Sequence, residues 1–182
     1  MTRIVSIIAT PNQSSRLLGV TNYVEQRLRE QNVELTTLQV TSIPAEDLIF
    51  ARFDSPAIAE ANALVEAADA VIIASPVYKA SYSGILKTYL DLLPQKGLDG
   101  KIVAPIFIGG TIAHLLSIDY SLKPVLASLG ARHYVSSIYA TDSQVTRTGQ
   151  GNDIAFELNE ELTSRLDRTI EELRIDLARR SS

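Results

Sequence analysis

Five apolar residues, Ala70-Val71-Ile72-Ile73-Ala74, constrain this chain more than any other segment. The run is too short for a helix and is rich in β-branched residues, so it predicts a strand buried on both faces, as inside a parallel sheet. Ser75-Pro76 is expected to stop it, because proline has no N–H for the ladder. A polar loop with Tyr78, Lys79, Ser81 and Ser83 follows. Ser81 or Ser83 suits the N-cap of a helix whose apolar positions Ile85, Leu86, Tyr89, Leu90 and Leu93 recur at helical spacing. A strand entering a helix through such a loop offers free backbone N–H groups and a positive helix end beside a planar aromatic ring, a setting for an anion or a flat ligand.

The rest of the chain repeats this alternation. Arg3 to Ala9 reads as a first buried strand, followed by Thr10-Pro11-Asn12-Gln13-Ser14-Ser15-Arg16 and a helix carrying Leu17, Leu18, Val20, Tyr23, Val24 and Leu28 up to Gln31-Asn32. Val33 to Val40 alternates and predicts a half-exposed strand near an edge. An irregular connection, 41–56, leads to a helix from about Pro56 to Ala67. Lys101 to Ile108 is a fourth strand ending in Gly109-Gly110-Thr111, with Pro105 expected to cause a kink or a missing ladder bond. His114 to Leu129 is helical by period, Ala131 to Ala140 is a fifth strand, and 141–152 is a polar loop. A last helix places Leu158, Leu162, Leu166, Ile170, Leu173 and Leu177 on one stripe, for packing on the sheet or in part for an oligomer contact. No repeat, linker or low-complexity segment divides residues 1–182, which predicts a single domain. Strands alternating with helices imply a doubly wound α/β fold: a flavodoxin-like, five-stranded parallel sheet of order 2-1-3-4-5 with helices on both faces.

Composition removes several functions. A net charge of -4 argues against nucleic-acid binding. The absence of cysteine removes disulfides, thiol chemistry and cysteine metal sites, and two distant histidines, His114 and His133, argue against a metal centre. The chain enters its first strand without a signal-peptide pattern and has no apolar run of the roughly 20 residues a bilayer requires. The expectation is a soluble cytoplasmic protein.

In the predicted strand order the loops after strands one, three and four share one sheet edge, at the topological switch point. The first can hold a phosphate through hydroxyls, backbone N–H groups and Arg16. The second offers Tyr78 to a ring system, and the Gly109-Gly110 pair removes side chains that would block a flat ligand. Each segment alone also serves as a helix cap or a turn; their convergence favours a mononucleotide such as FMN. The first loop lacks the G-x-G-x-x-G dinucleotide pattern.

These residues carry a resemblance. The segments D-L-I-F-A-R-F-D-S-P-A (47–57), S-P-V-Y-K-A-S-Y-S-G-I-L-K-T-Y-L-D-L-L-P (75–94), G-G-T-I-A-H-L-L-S-I-D-Y-S-L-K-P-V-L (109–126) and D-S-Q-V (142–145) resemble the NADPH-dependent FMN reductase family, more narrowly the FMN reductases of two-component alkanesulfonate monooxygenase systems. The resemblance implies a dimer or tetramer that reduces FMN with NADPH or NADH and hands it to a flavin-dependent monooxygenase. By position, Thr10, Pro11, Ser14, Ser15 and Arg16 match the phosphate loop; Pro76, Val77, Tyr78, Lys79 and Ser81 match the loop beside the isoalloxazine; Gly109, Gly110 and Thr111 match the third loop. The first loop departs from the family's G-S-P-R form: Ala9-Thr10 replace Gly-Ser, and Asn12 stands where arginine is usual, at the cost of one cation.

Pro124 lies inside the predicted helix from His114 and removes a hydrogen bond to the Tyr120 carbonyl, which predicts a kink or a π-bulge. In the alkanesulfonate branch the corresponding tyrosine forms a π-helix at the subunit interface, a feature linked to FMN acting as a substrate that leaves; Tyr120 is otherwise a packed aromatic at a proline kink. Lys87 and Asp142 read as solvated surface groups, His114 as a helix cap and His133 as structural. The rivals are a quinone or azo reductase that keeps its FMN, and a flavodoxin-like electron carrier. Against the carrier stand the missing T-x-T-G-type loop and the moderate charge.

Overall fold

The computed structural model describes residues 2–31, 33–149 and 153–180. Asn32, expected at the end of the first helix, and residues 150–152 of the expected polar loop lie outside the described residues. The element order is β1 (Arg3–Ile8), α1 (Arg16–Arg29), β2 (Glu34–Gln39), α2 (Ala45–Ile49), α3 (Pro56–Ala67), β3 (Ala70–Tyr78), β4 (Ser81–Tyr82), α4 (Gly84–Leu90), β5 (Ile102–Gly109), a π-helical turn (Ile118–Leu122), α5 (Lys123–Ser128), β6 (His133–Tyr134), β7 (Ile138–Thr141), β8 (Val145–Thr148), β9 (Ala155–Leu158) and α6 (Glu160–Arg180).

The main sheet runs β2-β1-β3-β5-β6, with β7 continuing on β5 beyond β6 and the short β4 folded back on β3. The frame is the expected parallel 2-1-3-4-5 arrangement, but it contains seven strand segments because the fifth strand is split and β4 is added. Alternation along the strands sends Val5, Ile7, Val71, Ile73, Val103 and Phe107 to a core shared with α3, α4 and α5. Ile4, Ile8, Ile72, Ile102 and Ile106 go to the opposite core, under α1 and α6. Helices therefore cover both faces. Ser15, Ser55 and Ser83 are the N-caps of α1, α3 and α4, their hydroxyls accepting from the amides of Leu17, Ile58 and Leu86.

Two prolines shape the ladders. The expected stop at Ser75-Pro76 is not observed, since β3 continues to Tyr78 and Pro76 pairs with Ile108. Alternation explains the tolerance. The Ala9 amide donates to the Ala74 carbonyl, so position 76, two residues on, also faces β1, where the strand has ended. The Ala9 carbonyl, which an N–H at position 76 would have served, accepts instead from the Ser83 hydroxyl at 2.8 Å.

Pro105 leaves the missing ladder bond that was expected. The Val135 amide donates to the Val103 carbonyl, so position 105 faces the fifth strand as well, and it has no N–H to give. The fifth strand breaks opposite it, between Tyr134 and Ile138. Side chains of α6 seal the gap: Glu172 accepts from the Ser136 amide (2.8 Å) and hydroxyl (2.9 Å), and the Thr169 hydroxyl donates to the Ser136 carbonyl.

Three further differences are local. The connection 41–56 contains α2. The helix expected from His114 to Leu129 is a 3₁₀ turn at Ile112–His114, then the π-helical turn, which is the π-bulge expected around Tyr120, and then α5, in whose first turn Pro124 needs no partner. The expected polar loop contains β8, which forms an antiparallel hairpin with β9, and this takes Leu158 off the α6 stripe. On α6, Leu162, Leu166, Ile170, Leu173 and Leu177 are buried as predicted.

Candidate functional site

The register of the sheet brings the three predicted loops together. Ile8 pairs with Ala74, Pro76 with Ile108 and Gly109 with Thr141, so the segments following β1, β3 and β5 emerge side by side at the carboxyl edge.

The first loop is ordered by its own side chains. The buried Thr10 hydroxyl and Asn12 backbone contact each other at 3.4 Å, and Asn12 Oδ1 accepts from the Ser14 amide (2.8 Å) and hydroxyl (2.7 Å). Ser15 spends its hydroxyl on the Leu17 amide. The amides of Gln13 and Arg16 have no acceptor among the described residues, at the amino end of the 14-residue α1. Pro11 is exposed between Thr10 and Asn12. Arg16, expected to serve a phosphate, directs Nε to the Val145 carbonyl at 2.9 Å and so ties the loop to the β8–β9 hairpin.

The second loop is a tight hairpin. Val77 pairs with Tyr82 and Tyr78 with Ser81, around Lys79 and Ala80 at φ +50° and +63°. Two left-handed residues in a two-residue connection are the signature of a type I′ turn, here built without glycine. The hairpin is tied down at its base, where the Ser83 amide donates to Ser75 Oγ at 2.8 Å and the Ser75 hydroxyl donates to the Pro76 carbonyl. Tyr78 is 50 % exposed at the tip.

In the third loop the two glycines have different reasons. A Cβ at Gly109 would lie 2.2 Å from the Tyr139 hydroxyl, which donates to the Thr111 carbonyl at 2.8 Å; this glycine makes room for Tyr139, not for a ligand. Burial raises the Tyr139 phenol above its ordinary value, and Asp142 adds to the shift. A Cβ at Gly110 would meet nothing within 4 Å. Thr111 caps the following turn through the Ala113 amide. Beyond it Ile112, Leu115, Leu116 and Tyr120 form an exposed apolar surface, with Tyr120 79 % exposed on the π-helical turn. It is not packed in the core.

The remaining polar candidates lie elsewhere. Lys87 pairs with Asp91 at 2.6 Å on the surface, a hydrogen bond that raises the Lys87 pKa, and His114, His133 and Asp142 are exposed. No group of three or more metal-ligating side chains occurs among the described residues.

One contribution was absent from the sequence reading. The β8–β9 hairpin lies on α1, with Phe156 over Gly19, where a Cβ would lie 2.6 Å from that of Phe156. From this hairpin Arg147 donates to the Ser14 carbonyl at 3.0 Å. Its signal is the pattern V-T-R-T, which puts Arg147 on the same strand face as the buried Val145.

A parallel sheet of this order, with a hydroxyl-lined loop opening α1 and a bare glycine edge two strands away, defines a flavodoxin-like protein. More narrowly, the chain belongs to the NADPH-dependent FMN reductase family, whose model matches residues 2–146. It is 47% identical over 177 residues to an FMN reductase (NADPH) of Pseudomonas putida, covering 97% of this chain and 89% of the relative. To an FMN reductase (NADPH) of Escherichia coli it is 45% identical over 143 residues, 79% of this chain and 75% of the relative. The apo structure of the NADH:FMN oxidoreductase EmoB superposes with a TM-score of 0.84 at 31% identity, covering 97% of this chain and 90% of that one.

Proposed function

We propose that this protein is an NADPH-dependent FMN reductase that passes reduced FMN to a flavin-dependent monooxygenase of the alkanesulfonate type. The observation that carries the reading is the meeting of the three loops at one sheet edge in a chain of this family. NADPH is preferred as the donor because the Pseudomonas putida and Escherichia coli relatives are named for it. The chain works as one flavodoxin-like domain over residues 1–182.

Flavin chemistry supplies the hydride acceptor, and the protein supplies position and field. Thr10, Pro11, Ser14, Ser15 and Arg16 would hold the phosphate, with the amides of Gln13 and Arg16 as free donors. Pro76, Val77, Tyr78, Lys79 and Ser81, held in place by the type I′ turn, would lie beside the ring. Gly110 and Thr111 provide the approach on the other side, and Gly109 supports them through Tyr139. No general acid or base is assigned, because hydride transfer between stacked rings needs none. Tyr120 with Ile112, Leu115 and Leu116 forms the exposed surface that a second copy covers in a dimer or tetramer. The π-helical turn that carries Tyr120 supports, by resemblance to the alkanesulfonate branch, a flavin that arrives and departs.

The test is NADPH oxidation by desalted protein as FMN is titrated. Near-zero oxidation without FMN, saturating at an FMN concentration on the order of micromolar, is expected. A yellow protein that reduces quinones without added FMN makes the flavin a fixed group. No oxidation of NADPH or NADH removes the enzyme reading and leaves an electron carrier.

A further inference from the structure

We propose that Arg147 is a second cation of the phosphate loop, beside Arg16, supplied from the β8–β9 hairpin. The proposal rests on the reading that the Thr10–Arg16 loop takes the FMN phosphate. That loop needs positive charge for a phosphate monoester, which carries close to two negative charges at neutral pH. It holds one cation of its own. Asn12 is neutral, and its side-chain oxygen is turned inward onto Ser14. Arg16 places its Nε on the Val145 carbonyl and keeps its charge and its terminal N–H donors.

Arg147 lies against the same loop. One guanidinium nitrogen donates to the Ser14 carbonyl at 3.0 Å, which puts the group against the loop between the Asn12 turn and the Ser15 cap. The side chain is exposed and makes no ion pair among the described residues, so its remaining N–H donors stay available for a second, anionic acceptor. Its position is set by packing. Val145, two residues earlier on the same face, is buried. Phe156, paired with Arg147 across the hairpin, fills the space over Gly19, and the Asn159 amide donates to the Gln144 carbonyl at the hairpin base. Arg16 and Arg147 therefore form a reciprocal clasp: the loop's arginine holds a hairpin carbonyl, and the hairpin's arginine holds a loop carbonyl.

A phosphate-specific role separates FMN from riboflavin, which has the same ring and no phosphate. Binding of each to the desalted protein is measured by flavin fluorescence quenching, for the wild type, Arg147→Ala, Arg147→Lys and Thr146→Ala, the last on the opposite strand face. For Arg147→Ala the expected result is a loss of about ten-fold in FMN affinity, the scale of one hydrogen bond to a charged group, with riboflavin affinity unchanged. Arg147→Lys should recover part of the loss, Thr146→Ala should bind both flavins as the wild type does, and raising NaCl from about 50 to about 300 mM should weaken wild-type FMN binding more than that of Arg147→Ala. An unchanged FMN affinity in Arg147→Ala overturns the proposal, as does an equal loss for FMN and riboflavin, which would make Arg147 a strut of the hairpin. Wild-type protein that binds FMN no more tightly than riboflavin removes the phosphate-loop reading itself, a result visible before any variant is compared.

Discussion

Ser83 shows how much a single side chain does at the carboxyl edge. Its hydroxyl donates to the Ala9 carbonyl and accepts from the Leu86 amide, so one oxygen closes the β1 ladder and caps α4. Ser83→Ala removes both, and a loss of about 1–3 kcal/mol is expected from an uncapped helix and a buried, unpaired carbonyl; the shift of the urea midpoint at constant m-value checks it. The adjacent glycines make a sharper pair. Gly109→Ala drives a methyl group into Tyr139 and should destabilise by about 1–3 kcal/mol. Gly110→Ala faces open space and should unfold at the wild-type urea concentration while binding FMN more weakly. That a serine near position 83 caps a helix was legible from spacing. The choice of Ser83 over Ser81 was not, nor was its bond to a carbonyl 74 residues away, because only the folded sheet brings Ala9 and Ser83 together. The Gly109-Gly110 pair was legible as a site of close approach to a flat ligand, yet what approaches Gly109 is a tyrosine from another strand.

Among the elements, the buried strands and amphipathic helices followed directly from periodicity, and β1, α3 and β5 lie close to their predicted bounds. Segments whose pattern is short did not, and β3 ran through the proline expected to end it. β8 and β9 have four residues each, too few for alternation to stand out from a polar loop, and the packing of Val145, Phe156 and Leu158 on the core under α1 gives them a partner surface. Gly19→Ala is therefore expected to cost about 1–3 kcal/mol by overpacking, with amide exchange accelerated first in the hairpin. The division of the expected helix after His114 has a local cause, since Pro124 is acceptable only in a first helical turn. Its placement there leaves the preceding residues to close as a π-helical turn, and this puts Tyr120 outward.

For the whole molecule, burial raises the phenols of Tyr89, Tyr134 and Tyr139 above their ordinary value, and burial together with Asp167 raises that of Tyr23. Above the unfolded-state pKa of about 10 the unfolded chain releases protons that the folded chain retains, so stability present at neutral pH falls as pH rises past that point. Urea midpoints between pH 8 and about 11 should decline, and less steeply in Tyr89→Phe, whose buried ring no longer titrates. Ligand linkage acts in the other direction: free FMN at about 100 times its dissociation constant should stabilise the protein by about 2.7 kcal/mol, seen as a rise in Tm on adding FMN to desalted protein.

The break in the fifth strand matters beyond the chain itself. The outermost strand of a sheet is where a second molecule can dock backbone to backbone and start a growing aggregate. Here that border offers runs of only two and four residues, β6 and β7, with Ser136 between them already bonded to Glu172 and Thr169. Pro105, by withholding a single N–H one strand further in, keeps the border too discontinuous to template another copy. Restoring the N–H at that position would mend the ladder and leave the protein more prone to sticking to itself.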